Sequence, residues 1–135
     1  MNTRTLRRIA SLGFAGALAG GFALIGSATA DAASTGHTCH GHAATIVGTE
    51  GNDELNGTPG RDVIVALGGH DEIDGRGGND IICAGAGNDD VEGGSGNDWI
   101  DAGSGHDEVD GESGNDTIHG GSGHDSLEGG SGADK

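Results

Sequence analysis

Residues 93–101 read Gly93-Gly94-Ser95-Gly96-Asn97-Asp98-Trp99-Ile100-Asp101. The Asp of this stretch recurs every nine residues, at 53, 62, 71, 80, 89, 98, 107, 116, 125 and 134. A Gly stands two residues before each, from Gly51 to Gly132. Two residues after each of the first nine comes an aliphatic side chain: Leu55, Ile64, Ile73, Ile82, Val91, Ile100, Val109, Ile118 and Leu127. Chance does not hold three positions in register over ten copies. A short, fixed period means a stacked solenoid, in which each unit buries its apolar residue only against its neighbours.

Composition narrows the alternatives. Gly supplies 31 of the 135 residues but does not recur every third position, which excludes collagen. Both Phe lie in the first thirty residues and Tyr is absent, so Trp99 is the one aromatic of the remainder. An ordinary core of large apolar side chains is excluded. Low apolar content with high net charge fits a disordered acidic tail, but the nine-residue order overrides that reading. The formal charge is −16, and −19 once Arg4, Arg7 and Arg8 are set aside. Such a polyanion disfavours nucleic acid and anionic membranes as partners and favours cations.

The stretch 93–101 resembles the G-G-x-G-x-D-x-U-x nonapeptide of the RTX, or haemolysin-type, calcium-binding proteins. The resemblance spans residues 45–135. Residues 93–98, 120–125 and 129–134 match every Gly of the loop, whereas 57–62 and 66–71 lack the first Gly pair. It implies an all-β chain folded as a parallel β-roll, a calcium-bound solenoid with 18 residues per turn. It also implies Ca2+ ions between loops 18 residues apart, bound by both Asp carboxylates and by loop carbonyls. The expected ligands are Asp80, Asp89, Asp98, Asp107, Asp116, Asp125 and Asp134, paired as 80/98, 98/116, 116/134, 89/107 and 107/125. Asp53, Asp62 and Asp71 occupy the drifting early loops and form a secondary set.

The physics of the residues agrees. Three residues after each Asp make a short strand with its central aliphatic side chain inward. Six residues turn the corner, with Gly supplying backbone angles that other residues resist. Successive Asp residues then fall on opposite edges, each edge a column of carboxylates about 4.8 Å apart. Unit charges at that spacing repel by about 1 kcal/mol even in water. Calcium accepts six to eight hard oxygens in flexible geometry and suits such a column. The bland alternative, Asp as a turn cap, does not explain charge stacked in columns.

The remaining features place the roll in a cell. Arg4, Arg7 and Arg8, an apolar run over 9–25 and the end Ser27-Ala28-Thr29-Ala30 predict a secretory signal peptide over 1–30. A leader or strap over 31–44 then precedes the roll at 45–135. The expected product is secreted and extracellular, without stable membrane insertion after cleavage. On the outer faces, Glu54, Glu72, Asp90 and Glu108 form an acidic column, and Val63, Ile81, Trp99 and Thr117 a more apolar one. Cys83 lies on that second face, and the only other Cys is Cys39. An oxidising compartment favours a Cys39–Cys83 disulfide strapping the leader to the early turns; free or intermolecular thiols are the alternative. Trp99, beyond the strap, is the candidate contact for a protein or surface partner. His37, Cys39, His40 and His42 crowd together as a transition-metal set or a plain leader. His106 and His124 are expected to stack as neighbours. No nucleophile stands beside a base, so no enzyme is expected. Two functions follow: a secreted calcium-binding protein that folds on Ca2+, or a calcium-conditioned adhesion or interaction module.

Overall fold

The computed structural model describes residues 36–135. The expected signal peptide and residues 31–35 of the leader lie outside the described residues. A two-residue hairpin opens the fold, β1 (Thr38–Cys39) against β2 (His42–Ala43). His40 and Gly41 form its turn with φ of 48° and 79°, the pair of left-handed residues that a tight hairpin requires.

Ten strands then wind the solenoid, alternating between two sheets. One sheet takes β4 (Glu54–Asn56), β6 (Glu72–Asp74), β8 (Asp90–Glu92), β10 (Glu108–Asp110) and β13 (Ser126–Glu128). The other takes β3 (Ile46–Val47), β5 (Val63–Val65), β7 (Ile81–Ala86), β9 (Trp99–Gly105) and β11 (Thr117–His119), with β12 (Ser122–Gly123) beside β9. Every pairing between turns is parallel and joins a residue to the one 18 positions on, as Ile64 to Ile82 and Val91 to Val109. The chain is the parallel β-roll that the period predicts.

Alternation puts one aliphatic side chain per strand inside. Leu55, Ile73, Val91 and Val109 from one sheet meet Ile46, Ile64, Ile82 and Ile100 from the other. Full burial of such a side chain is worth about 1.5–3 kcal/mol. Leu127, on the last described turn, is 48% exposed where Leu55 is 1%. The column starts one rung earlier than the Asp period indicates, at Ile46. Two strands also run further than three residues. Ala84 and Ala102 are fully buried where the opposite edge carries Gly, and β7–β9 pairing continues past them through Gly85–Gly103 and Ala86–Ser104.

The hairpin lies on the outside of the second sheet. Cys39 bonds to Cys83 with their Cα atoms 5.8 Å apart. Cys39 and Ala44 bury against Val63, Val65 and Ile81, so the expected strap is present and covers the apolar ladder. It reaches further than expected. His40 stacks on Trp99 at 4.1 Å between ring centroids, and His119 flanks the indole at 5.5 Å. Trp99 is therefore half-buried rather than left bare beyond the strap. The first sheet keeps the acidic outer face, where a shallow groove runs between Glu54–Glu72–Asp90 and Asn56–Asp74–Glu92.

Candidate metal centre

Each Asp of the repeat sits at the point where a Gly-rich corner feeds a strand. The strand begins by donating its first N–H to the previous turn, as Trp99 N does to Asp80 O at 2.9 Å. That fixes the Asp backbone, and the side chain turns inward along the edge. Asp53, Asp62, Asp71, Asp80, Asp89, Asp98, Asp107 and Asp116 are all buried. Asp125 and Asp134, on the last turn, are half-buried and exposed.

Within each column one carboxylate oxygen has a fixed task. Oδ1 accepts the backbone N–H of the Asp 18 residues earlier. The distance is 2.7 Å for Asp62 to Asp80, and 2.8 Å for both Asp80 to Asp98 and Asp98 to Asp116. The other edge repeats it at 2.8 Å for Asp53 to Asp71 and 2.9 Å for both Asp71 to Asp89 and Asp89 to Asp107. Asp107 to Asp125 and Asp116 to Asp134 complete the columns at 3.2 and 3.0 Å.

The second oxygen is different. Oδ2 of Asp71, Asp80, Asp89, Asp98, Asp107 and Asp116 is buried without a hydrogen-bond partner. A buried, unpaired carboxylate oxygen is costly. Burial accordingly raises the Asp71 and Asp80 carboxyls from 3.8 to about 6 and Asp98 to about 7. The accepted N–H bonds oppose the rise, and the like charges along the column add to it. Asp89, Asp107 and Asp116 are raised for the same reasons, burial first.

The surroundings of Oδ2 fit a hard cation. A Cβ added to Gly93 would meet Asp98 Oδ2 at 2.9 Å and Gly111 O at 3.1 Å. At Gly75 it would meet Gly93 O at 2.5 Å and Asp80 Oδ2 at 3.0 Å, and at Gly111, Asp116 Oδ2 at 2.7 Å and Gly129 O at 2.8 Å. Each corner thus brings an orphaned carboxylate oxygen next to a carbonyl of the following turn, in room that only Gly leaves. These donors are all oxygen, the set that calcium prefers. Among the described residues no group of three or more His, Cys, Asp or Glu side chains is placed to hold a metal, so carbonyls would have to complete any shell. The crowd at His37, Cys39, His40 and His42 is spoken for: Cys39 is in the disulfide and His40 lies on Trp99.

Two features escape a reading of the repeat alone. Loop residues just before the Asp lend a side-chain acceptor to the next turn. Asn97 N–H donates to Asn79 Oδ1 and His106 N–H to Asn88 Oδ1, both at 2.9 Å. His70 and His106 do the same through Nδ1, to Asn88 N at 2.8 Å and His124 N at 3.1 Å, and His106 and His124 stack as expected at 5.3 Å. The second feature is Thr. Thr49 N–H and Oγ1 donate to Asp53 Oδ2 at 2.6 and 3.0 Å, and Thr58 does so to Asp62 Oδ2 at 2.6 and 2.9 Å.

Comparison with known proteins matches residues 47–82, 84–118 and 107–135 to the family described as RTX calcium-binding nonapeptide repeat (4 copies). No curated protein and no solved structure matches the chain.

Proposed function

The chain belongs to the RTX calcium-binding nonapeptide repeat family, and from that premise we propose that it is an exported protein whose β-roll folds when Ca2+ loads between its stacked loops. The reading rests on one observation, the six buried Oδ2 atoms that have no partner. Bound calcium supplies a divalent charge that takes up hard oxygens and offsets carboxylate repulsion. The chain does the rest. Oδ1 locks each turn to the one before, Oδ2 of the same carboxylate is held open toward the next, and Gly75, Gly93 and Gly111 leave the space. The proposed ligand pairs are 80/98, 98/116, 116/134, 89/107 and 107/125. Asp71 has the same open oxygen, which adds 71/89.

Export by a signal peptide over 1–30, a leader over 31–44 and an extracellular site of action belong to this proposal, as does the absence of catalysis. The Cys39–Cys83 bond supports an oxidising compartment. The alternative, an adhesion module that docks through the Trp99 face, has less support because His40 already covers the indole. Calcium titration of the chelated protein, followed by far-ultraviolet circular dichroism, tests the proposal. A chelated protein already rich in sheet, or one unmoved by millimolar calcium, overturns it.

A further inference from the structure

Two of the eight buried repeat carboxylates are missing from the set with an open oxygen: Asp53 and Asp62. Their loops, 48–53 and 57–62, differ from the others at the second position. Leu67, Arg76, Gly85, Gly94, Gly103, Glu112, Gly121 and Gly130 hold that position with φ between 64° and 109°. Thr49 and Thr58 are not among the residues with positive φ. A β-branched side chain rarely enters the left-handed region, and Pro59 further restricts Thr58 to extended backbone. With the corner turned the other way, the Thr N–H points at its own Asp four residues on, at 2.6 Å in both loops. The hydroxyl adds a second donor to the same Oδ2. Hydrogen bonds to an ionised acceptor are the strong ones, and here they fill the position that stays open in the later loops.

Hydroxyl capping extends to the start of the solenoid. Asp62 has no earlier Asp above it, since position 44 is Ala, and Thr45 Oγ1 lies 3.5 Å from Asp62 Oδ1. Thr45 Oγ1 also accepts the Val63 N–H at 2.9 Å. The same turn carries the hairpin, its apolar contacts with Val63, Val65 and Ile81, and the Cys39–Cys83 bond.

We infer that Thr49 and Thr58 close the first two loops to calcium and let the N-terminal turn fold without it, as a preformed end on which calcium-dependent turns then stack. The inference rests on the proposed calcium loading and adds where it starts: the gaps 53/71 and 62/80 stay metal-free, and loading begins at Asp71 and Asp80.

The test is hydrogen exchange, read by mass spectrometry, on the disulfide-intact protein in excess chelator and again in millimolar calcium. Peptides covering residues 45–65 stay protected in chelator, whereas those covering 84–128 exchange freely and gain protection only with calcium. Equilibrium dialysis against calcium then compares variants. The double variant Thr49→Gly and Thr58→Gly binds two more ions per chain than wild type, one for each freed gap, and loses the chelator-resistant protection. Thr49→Val with Thr58→Val keeps the β-branch and the backbone donor, so its ion count stays at the wild-type value. First-turn peptides that exchange in chelator as fast as the rest overturn the inference, as does an unchanged ion count in the Gly variant. Should the Gly variant fail to fold, the exchange pattern of the wild type decides alone. Wild-type protein that binds no calcium fails differently, because that result removes the calcium-loading proposal itself.

Discussion

Asp98→Asn separates the metal-free fold from the loaded one, because it pushes them in opposite directions. The amide keeps the acceptor for the Asp80 N–H, now 2.8 Å from Oδ1. It removes the buried charge at Oδ2, which lies between Asp80 and Asp116 in the column. In the folded state without metal, burial and these neighbours raise the Asp98 carboxyl from 3.8 to about 7. At about 1.4 kcal/mol per pH unit, ionising it at pH 7 costs the fold about 4 kcal/mol. The Asn variant escapes that cost, so in chelator it shows more sheet than wild type. With calcium the sign reverses, since the gaps 80/98 and 98/116 each lose a carboxylate ligand. A hard cation prefers charged oxygen, so the calcium midpoint moves to higher concentration and the transition loses steepness. Circular dichroism at 218 nm or thereabouts, followed over a calcium titration from chelator upward, reads both effects in one experiment. A variant less structured than wild type in chelator refutes the idea that the orphaned oxygen is a burden there. An unchanged midpoint refutes the role of Asp98 at the metal.

Acid mimics that substitution. The raised carboxyls mean that the metal-free fold binds more protons than the unfolded chain, so their contribution is fully present below about pH 4. It is lost as the pH rises through about 6 to 7 at Asp71, Asp80 and Asp98. Calcium-depleted protein should therefore gain sheet between pH 7 and pH 4, while calcium-loaded protein should release its ions over the same range; sheet content flat with pH in chelator contradicts this. Reducing Cys39–Cys83, which closes 44 residues, should cost about 4 kcal/mol on the chain-entropy account and uncover Val63, Val65 and Ile81. Thermal melts in saturating calcium, with and without reductant, measure it, and coincident melts would remove the strap from the stability of the roll. Gly93→Ala puts a Cβ 2.9 Å from Asp98 Oδ2 and should cost about 1–3 kcal/mol by overpacking, with weaker calcium binding. Wild-type calcium titration and melting curves for this variant would show that the corner has room to spare.

The two-sheet roll is legible in the sequence because its three period-nine signals are each tied to one structural job. Asp sets the corner, the aliphatic residue fills the core, and Gly two residues before Asp lets the corner turn. Cys83 on the outer face follows from the same alternation, and so does the disulfide. Reading by Asp nonetheless starts one rung late. Ile46 is core, but Ala44 stands where the Asp would be. Gly content also misleads at the second loop position. Leu67 and Arg76 adopt the left-handed geometry of their Gly counterparts, so loops 66–71 and 75–80 join the later ones in shape despite their drift. What distinguishes the first two loops is Thr, and its effect runs through a backbone N–H that no residue pattern displays. His40 on Trp99 is equally hidden, because it depends on where a hairpin outside the repeat comes to rest.

A ladder in which every rung pairs with the one 18 residues on carries an ambiguity of address. Slide the later turns by one whole rung and Asp still meets Asp, Gly still meets Gly, and aliphatic still meets aliphatic. The periodic contacts cannot count. Counting falls to what occurs once, and the Cys39–Cys83 bond does so by requiring Cys83 beside Val65 and no other partner. With the first turn so numbered, each later turn is addressed by its predecessor. Whole 18-residue units can then be gained or lost downstream of Cys83 without disturbing the register upstream, whereas a single inserted residue breaks every address that follows it.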